Sequence, residues 1–205
     1  MNQATPIQEL TAEAYLAPEK KNNLRLVIVA SSVGTLIEWY DLLLAVILAN
    51  VLSIQLFPAG ENKFIETLAI VATTYLIRPF GSLLFGNIGD KIGRKYTFLV
   101  SLLLMGGATF LIGCIPTFEQ AGWVAPILFL MLRILQGLAI SGEYSGAVIY
   151  VAEHAPDNKR GFYTGFIQTT SSIALILCLV IVFATKSFMS EESFNSFGWR
   201  IPFLF

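Results

Sequence analysis

The sequence predicts an all-α polytopic membrane protein with five full spans and the start of a sixth. Of its 205 residues, 55% are hydrophobic and only 13% are charged, whereas about 25% of the residues of a soluble domain are charged. Several uninterrupted apolar runs reach roughly 20 residues, the length that crosses a hydrocarbon core of ~30 Å. Because these runs are continuous and do not alternate with polar residues, they indicate helices.

The chain divides into a polar tail, residues 1–23, and a helical transmembrane domain, residues 24–205. The tail has no basic segment before a short apolar core, so we interpret it as cytoplasmic and not as a signal peptide. The apolar runs predict spans at about residues 26–57, 64–85, 96–115, 123–151 and 162–185, and a sixth span that starts near residue 199. Since the sixth run stops at Phe205, we expect a truncated chain; the alternative is a five-helix protein with an interfacial tail.

The cations between the spans predict the orientation of the chain. One side carries Lys63, Lys186 and Arg200. The other side carries the larger set: Lys20, Lys21, Arg25, Lys91, Arg94, Lys95, Lys159 and Arg160. Because Lys and Arg are enriched in cytoplasmic loops, the larger set predicts a cytoplasmic amino terminus.

Five ionisable residues fall within the predicted spans: Glu38, Asp41, Arg78, Arg133 and Glu143. A charge at the bilayer centre costs at least ~2.5–3.5 kcal/mol, so such residues usually face a bundle interior and have partners. Arg78 and Glu143 each lie about eight residues, or roughly 12 Å, before the cytoplasmic end of their span. Their equal depth predicts an intramembrane ion pair, while the other three residues share the middle of the membrane.

The charges of these five residues leave one acid unmatched, because three carboxylates face two guanidiniums. Arginine stays protonated, and burial favours the neutral form of an unpaired carboxyl group. We therefore hypothesise that Asp41 or Glu38 binds a coupling proton and that Arg133 tunes its affinity. The alternative is a static ion-pair network that only holds the helices together.

Small and polar residues give the fourth and fifth spans further features. Gly137, Ser141 and Ser145 repeat every four residues, and such a stripe lets membrane helices approach closely. Serine hydroxyl groups in helices also bond to their own backbone carbonyls, so their presence alone does not define a cavity. The candidates for a polar cavity or substrate site are Tyr40, Gln136, Gln168 and Ser172.

Three motifs resemble the amino-terminal half of a major facilitator superfamily transporter, and most closely that of the metabolite:proton symporter family. Further support comes from Arg78-Pro79-x-Gly81. The motifs are Glu38-Trp39-Tyr40-Asp41, Gly86-x-x-x-Asp90-Lys91-x-Gly93-Arg94-Lys95 and Arg133-x-x-Gln136-Gly137-x-x-x-Ser141-Gly142-Glu143. The chain departs from the family at Ser141 and Ser145, where Gly is usual, and at Tyr144, where Trp is usual.

The resemblance implies twelve helices in two halves with a central cavity, alternating access and symport of a small metabolite with protons. Family substrates include dicarboxylates, tricarboxylates, shikimate-like acids and zwitterionic osmolytes. It also implies that the charged run at residues 86–95 is a conformational latch, although its cations alone could be a topological anchor. The latch residues would be Gly86, Asp90, Gly93, Arg94, Glu153 and Arg160.

The motifs of other function classes are absent from the sequence. It contains no Walker loop, zinc-ligand spacing or nucleophile elbow, so we expect no enzyme, no metal and no cofactor. Its cations are split among short loops, which argues against nucleic acid as a partner. The expected partners are a small metabolite, protons, the bilayer of the bacterial plasma membrane and the missing carboxy-terminal half. The alternatives are a uniporter or antiporter with this fold, or a non-transporting membrane remnant of a truncated gene.

Overall fold

The computed structural model describes residues 32–141 and 160–204, together with residues 29, 152 and 158. All regular secondary structure within these ranges is helical. A 3₁₀ turn, Gly198–Arg200, precedes the last helix. The helices are α1 (Ser32–Ile47), α2 (Ala49–Leu56), α3 (Lys63–Ile92), α4 (Arg94–Cys114), α5 (Phe118–Ala121), α6 (Val124–Ile140), α7 (Arg160–Ser187), α8 (Glu191–Ser196) and α9 (Ile201–Leu204).

The first predicted span is a bent pair of helices and not one straight helix. α1 and α2 meet at 67°, and together they are long and apolar enough to cross a membrane. Helix-type hydrogen bonds continue through the bend, because the Leu48 N–H donates to the Leu44 carbonyl and the Leu52 N–H donates to the Leu48 carbonyl. All three leucines are buried, so the bend keeps both arms packed against one core.

The charged run at residues 86–95 is mostly helical, whereas the sequence analysis treats it as a loop. α3 continues to Ile92, and Gly93 alone separates it from α4. Gly93 has a φ of 103°, a backbone conformation that glycine adopts without the steric penalty of a Cβ atom. The Gly93 N–H donates to the Gly89 carbonyl, so a single residue makes the turn.

Two helices in the described part of the chain can each cross a membrane by length and composition: Lys63–Lys91 and Arg160–Ser187. The α1–α2 pair gives a third span if it is counted as one. The apolar helices Leu99–Cys114 and Val124–Ile140 are shorter. The second of these ends next to residues 142–151, which lie outside the described residues. The predicted span limits stay predictions, because helix ends do not mark the edges of a bilayer.

One hydrophobic core joins α1 and α2 to α6 and to the end of the described chain, with Leu44, Phe129, Trp199 and Phe203 among its buried side chains. Arg200 fixes this end to α4, because its Nη1 donates to the Gly113 carbonyl at 2.8 Å and also to the Ile115 carbonyl. A guanidinium at the carboxyl end of a helix satisfies free carbonyls and complements the helix dipole.

α3 and α6 cross at very short range, with glycine on both sides of the contact. A Cβ atom built on Gly137 would lie 2.5 Å from the Thr74 carbonyl oxygen, and one built on Gly81 would lie 2.5 Å from the Leu138 carbonyl oxygen. Gly137 and Ser141 of the predicted small-residue stripe both meet α3 here, since the Ser82 hydroxyl donates to the Ser141 carbonyl at 3.3 Å. Ser145 lies outside the described residues.

Candidate functional site

A buried polar network joins three helices near the middle of the bundle. It consists of Asp41 on α1, Thr109 on α4, and Arg133 and Gln136 on α6. Arg133 Nη1 donates to Asp41 Oδ2 at 2.5 Å. Asp41 Oδ1 accepts from Thr109 Oγ1 at 2.9 Å and from Gln136 Nε2 at 3.0 Å. Since Gln136 Nε2 also lies 2.9 Å from Thr109 Oγ1, Asp41 is the acceptor on which the network converges.

This network is closed to its surroundings within the described structure. The side chains of Arg133 and Asp41 are only 1% and 5% exposed. The guanidinium of Arg133 stacks on Phe129 at 5.3 Å, and the Arg133 carbonyl accepts from the Thr74 hydroxyl at 3.3 Å. Among the described residues, Arg133 Nε, Arg133 Nη2 and Gln136 Oε1 have no hydrogen-bond partner. The network therefore leaves two donors and one acceptor without a partner in the described part of the chain.

A second ion pair lies beside the first and is more open. Arg78 Nη2 on α3 donates to Glu38 Oε1 on α1. The side chain of Arg78 is 33% exposed and that of Glu38 is 12% exposed. The guanidinium also stacks on the exposed ring of Tyr75 at 4.7 Å, and Arg78 Nε has no partner among the described residues.

The structure pairs Arg133 with Asp41 and Arg78 with Glu38, and the second of these pairs was not predicted from the sequence. The acids Glu38 and Asp41 each have an arginine of their own. Glu143 lies outside the described residues, so its pairing with Arg78 stays a prediction. The count of three carboxylates against two guanidiniums included Glu143. The count alone therefore does not single out Asp41 or Glu38 as a proton carrier.

The predicted cavity candidates occupy different environments. Gln136 is buried in the Asp41 network. Tyr40 is also buried, and its hydroxyl donates to the Pro202 carbonyl at 2.7 Å, so it joins α1 to α9. Gln168 and Ser172 lie on an exposed part of α7. Two of the four candidates are thus buried in the bundle and two are exposed.

Sequence reasoning missed Thr109, which completes the network. The available signal was a hydroxyl group inside the apolar run of α4. Threonine in a helix usually satisfies itself on its own backbone, and Thr109 Oγ1 does lie 3.0 Å from the Met105 carbonyl. Only the packing of α4 against α1 and α6 distinguishes Thr109 from other threonines.

The predicted latch residues are only partly described. Gly86 and Asp90 are exposed in the last turns of α3, and Gly93 makes the turn to α4. Arg160 is exposed at the start of α7. The side chain of Arg94 and all of Glu153 lie outside the described residues. The latch contacts stay a prediction.

A model of a known protein family matches most of the chain. The model of the family described as "Sugar (and other) transporter" matches residues 26–205. The chain belongs to this transporter family. The family consists of integral membrane proteins of the major facilitator superfamily and not of enzymes, in agreement with the sequence analysis.

Curated relatives of the chain in this family include two transporters with different named substrates. The chain is 40% identical over 178 residues to the shikimate transporter of Escherichia coli K12, which covers 85% of this chain and 41% of the relative. It is 39% identical over 182 residues to the proline/betaine transporter of Salmonella typhimurium LT2, covering 88% of this chain and 36% of the relative. The chain therefore spans about two fifths of the length of these relatives.

Solved structures confirm the predicted fold class. The proton:xylose symporter XylE with bound 6-bromo-6-deoxy-D-glucose matches with a TM-score of 0.76 and 16% identity, covering 90% of this chain and 42% of XylE. Inward-open XylE from Escherichia coli matches with a TM-score of 0.72 and 18% identity, covering 88% and 44%. At these identities the likeness shows the fold alone, which is that of the amino-terminal half of a major facilitator superfamily transporter.

Proposed function

We propose that the chain is the amino-terminal half of a secondary active transporter that carries a small organic acid or zwitterionic osmolyte together with protons. The observation that carries the proposal is the sealed Asp41–Arg133 pair at the junction of α1, α4 and α6. The names of the relatives support the solute class, because shikimate, proline and betaine are all small carboxylates. Alternating access of two halves would move the solute.

Asp41 is the proposed proton-binding residue, and Arg133 is its proposed regulator. Protonating Asp41 would leave Arg133 as a buried cation without its counter-ion, which is strongly unfavourable. Proton binding therefore requires the pair to separate or Arg133 to gain another anion. Because Gln136 and Thr109 hold the same carboxylate, such a change would be transmitted to α4 and α6, and this connects protonation to helix movement.

Glu38 is the second candidate for the proton, since it also lies in a predicted span and pairs with an arginine. Its pair with Arg78 joins α1 and α3, whereas the Asp41 network joins three helices, so protonating Glu38 would disturb fewer helices. The competing explanation for both pairs is a static network that holds the bundle together. Transport measurements separate these explanations.

Replacing Asp41 with Asn in the complete transporter is expected to abolish accumulation driven by a proton gradient, because the amide cannot take up a proton. Exchange of labelled for unlabelled solute should continue, since exchange needs no net proton movement. Uptake into proteoliposomes with and without an inward proton gradient measures both quantities. The control is Glu61→Gln, which also replaces a carboxylate with an amide but at an exposed turn.

Accumulation by the Asp41→Asn variant with an unchanged response to the gradient would exclude Asp41 as the carrier. Wild-type uptake that ignores the gradient would instead favour a uniporter or antiporter. A wild-type protein that carries none of the solutes shikimate, proline and betaine would contradict the proposed solute class.

We also propose a bacterial plasma membrane location with a cytoplasmic amino terminus, supported by the distribution of cations. In that orientation Asp90 and Arg160 lie on the cytoplasmic side, where the proposed latch with Gly86, Gly93, Arg94 and Glu153 would hold one conformation. We propose that the spans predicted from the sequence cross this membrane.

Replacing Asp90 with Asn is expected to impair transport strongly while the protein still inserts in the membrane. The change removes one charge of the proposed latch and leaves the cations of the charged run at residues 86–95. Initial uptake rates, normalised to the amount of protein in the membrane fraction, measure the effect. Loss of membrane insertion with normal specific activity would return the run at residues 86–95 to a purely topological role.

A further inference from the structure

The two deep arginines of this half differ in what they can reach. Arg133 is 1% exposed and is sealed against Asp41, whereas Arg78 is 33% exposed. A guanidinium within a membrane span faces protein or a water-filled cavity and not lipid. The open side of Arg78 therefore faces the interior of the complete transporter.

The surface of α3 supports this assignment. At about 100° per residue, Tyr75, Arg78 and Ser82 lie on one stripe of the helix. Three strongly exposed apolar side chains of α3 form a separate stripe about one third of a turn away: Leu76, Phe80 and Leu83. The apolar stripe suits lipid, and the polar stripe borders the buried face that packs on α6. α3 thus presents an apolar surface that suits lipid and a polar surface beside its contact with α6.

We propose that Arg78, with Glu38 and the ring of Tyr75 beside it, forms the subsite that binds the carboxylate of the transported solute. The inference rests on the proposed function and extends it by naming the chemical group that this half recognises. It takes the place of the predicted Arg78–Glu143 pair and separates two tasks within the half, since Asp41 and Arg133 would serve proton coupling and Arg78 would serve solute recognition.

The contacts of Arg78 leave it able to accept a further anion. A guanidinium presents a planar fork of donors that matches a carboxylate with two parallel hydrogen bonds. Glu38 occupies Nη2 and Nε is buried, so an incoming carboxylate would bind from the exposed side at Nη1 and compete with Glu38 for Nη2. The ring of Tyr75, 4.7 Å from the guanidinium carbon, restrains the plane of the fork. The geometry thus orients a donor group that this half does not saturate.

The charge of Glu38 determines which carboxylates fit. The Glu38–Arg78 pair is neutral, so an incoming anion must compete with Glu38 for the guanidinium. A zwitterion such as betaine brings its own cation, which Glu38 can accept while the carboxylate of the zwitterion binds Arg78. The subsite therefore favours zwitterions, and Glu38 weakens the binding of simple anions such as shikimate.

The first experiment measures equilibrium binding of labelled glycine betaine and shikimate to the purified complete transporter. Arg78→Gln is expected to raise the Kd of each bound carboxylate about 10- to 100-fold, the range for loss of charge-assisted hydrogen bonds. Lys91→Gln removes a cation from the exposed end of the same helix and should leave the Kd unchanged. A wild-type Kd in the Arg78→Gln variant would overturn the subsite.

The second experiment uses Glu38→Gln, which keeps the shape of the side chain and serves even if Arg78→Gln does not fold. This variant should lower the Kd of shikimate and raise that of betaine, each by about fivefold, the size expected for a partly exposed charge pair. Where the wild type binds only one of the two, the direction for that solute decides. No change, or a change in the opposite direction, would overturn the subsite.

The two proposals fail in distinguishable ways. A wild-type protein that binds neither carboxylate contradicts the proposed solute class and the subsite together. Wild-type binding that survives both substitutions contradicts the subsite alone. Loss of proton-driven accumulation in Asp41→Asn, with binding intact, supports the proposed coupling whatever the result at Arg78.

Discussion

Replacing Arg133 with Met is expected to lower the free energy of unfolding of the complete transporter by about 3–5 kcal/mol, the usual cost of removing one partner from a buried ion pair. Met keeps much of the length of the side chain but cannot bind Asp41. The carboxylate then remains buried with only the hydroxyl of Thr109 and the amide of Gln136 as donors. Equilibrium unfolding in mixed micelles measures the loss.

The matched control is Arg78→Met, which removes a guanidinium from the more exposed pair. The loss there should be smaller than at Arg133, because the Arg78–Glu38 pair is more exposed and exposed ion pairs contribute less to stability. The double variant Asp41→Leu/Arg133→Met should recover at least half of the loss, since replacing both members of a buried pair with apolar groups is often neutral. A loss in the double variant equal to the sum of the losses in Asp41→Leu and Arg133→Met would contradict a coupled pair.

The sequence was sufficient to predict the helical architecture and the existence of a charged network. Long apolar runs mark helices because the bilayer requires every backbone group to be satisfied within the segment. Ionisable residues inside such runs are costly and therefore have partners, which is why Glu38, Asp41, Arg78 and Arg133 could be selected. The fold class was predicted at this level and is confirmed by the solved structures.

The partner of Arg78 could not be predicted from depth alone. The apolar run predicts a second span that ends at residue 85, with Arg78 near its cytoplasmic end. α3 continues to Ile92, and helix ends do not mark the edges of a bilayer, so the number of residues from Arg78 to a helix end does not give its depth. Whether Arg78 meets Glu38 depends on how α1 and α3 are rotated about their axes. That rotation is determined by the packing of many residues.

Helix packing also explains why glycine matters more at one position than at another. Replacing Gly137 with Ala is expected to lower the free energy of unfolding by about 1–3 kcal/mol, the range for overpacking a tight contact. The new Cβ atom would lie 2.5 Å from the Thr74 carbonyl oxygen and 3.1 Å from Thr74 Cα. Backbone atoms cannot rotate away as a flexible side chain does, so α3 and α6 must separate.

The matched control is Gly107→Ala on α4, where a new Cβ atom meets nothing within 4 Å. That variant should be neutral or stabilised by about 0.4–1 kcal/mol, because Ala restricts the unfolded chain more than Gly. Equal stability of the two variants in mixed micelles would contradict the close crossing. Separation at Gly137 should also weaken the bond from Thr74 to the Arg133 carbonyl. The glycine contact thereby sets the distance between the helix that carries Arg78 and the helix that carries Arg133, so Gly137→Ala should impair proton-coupled uptake as well as stability.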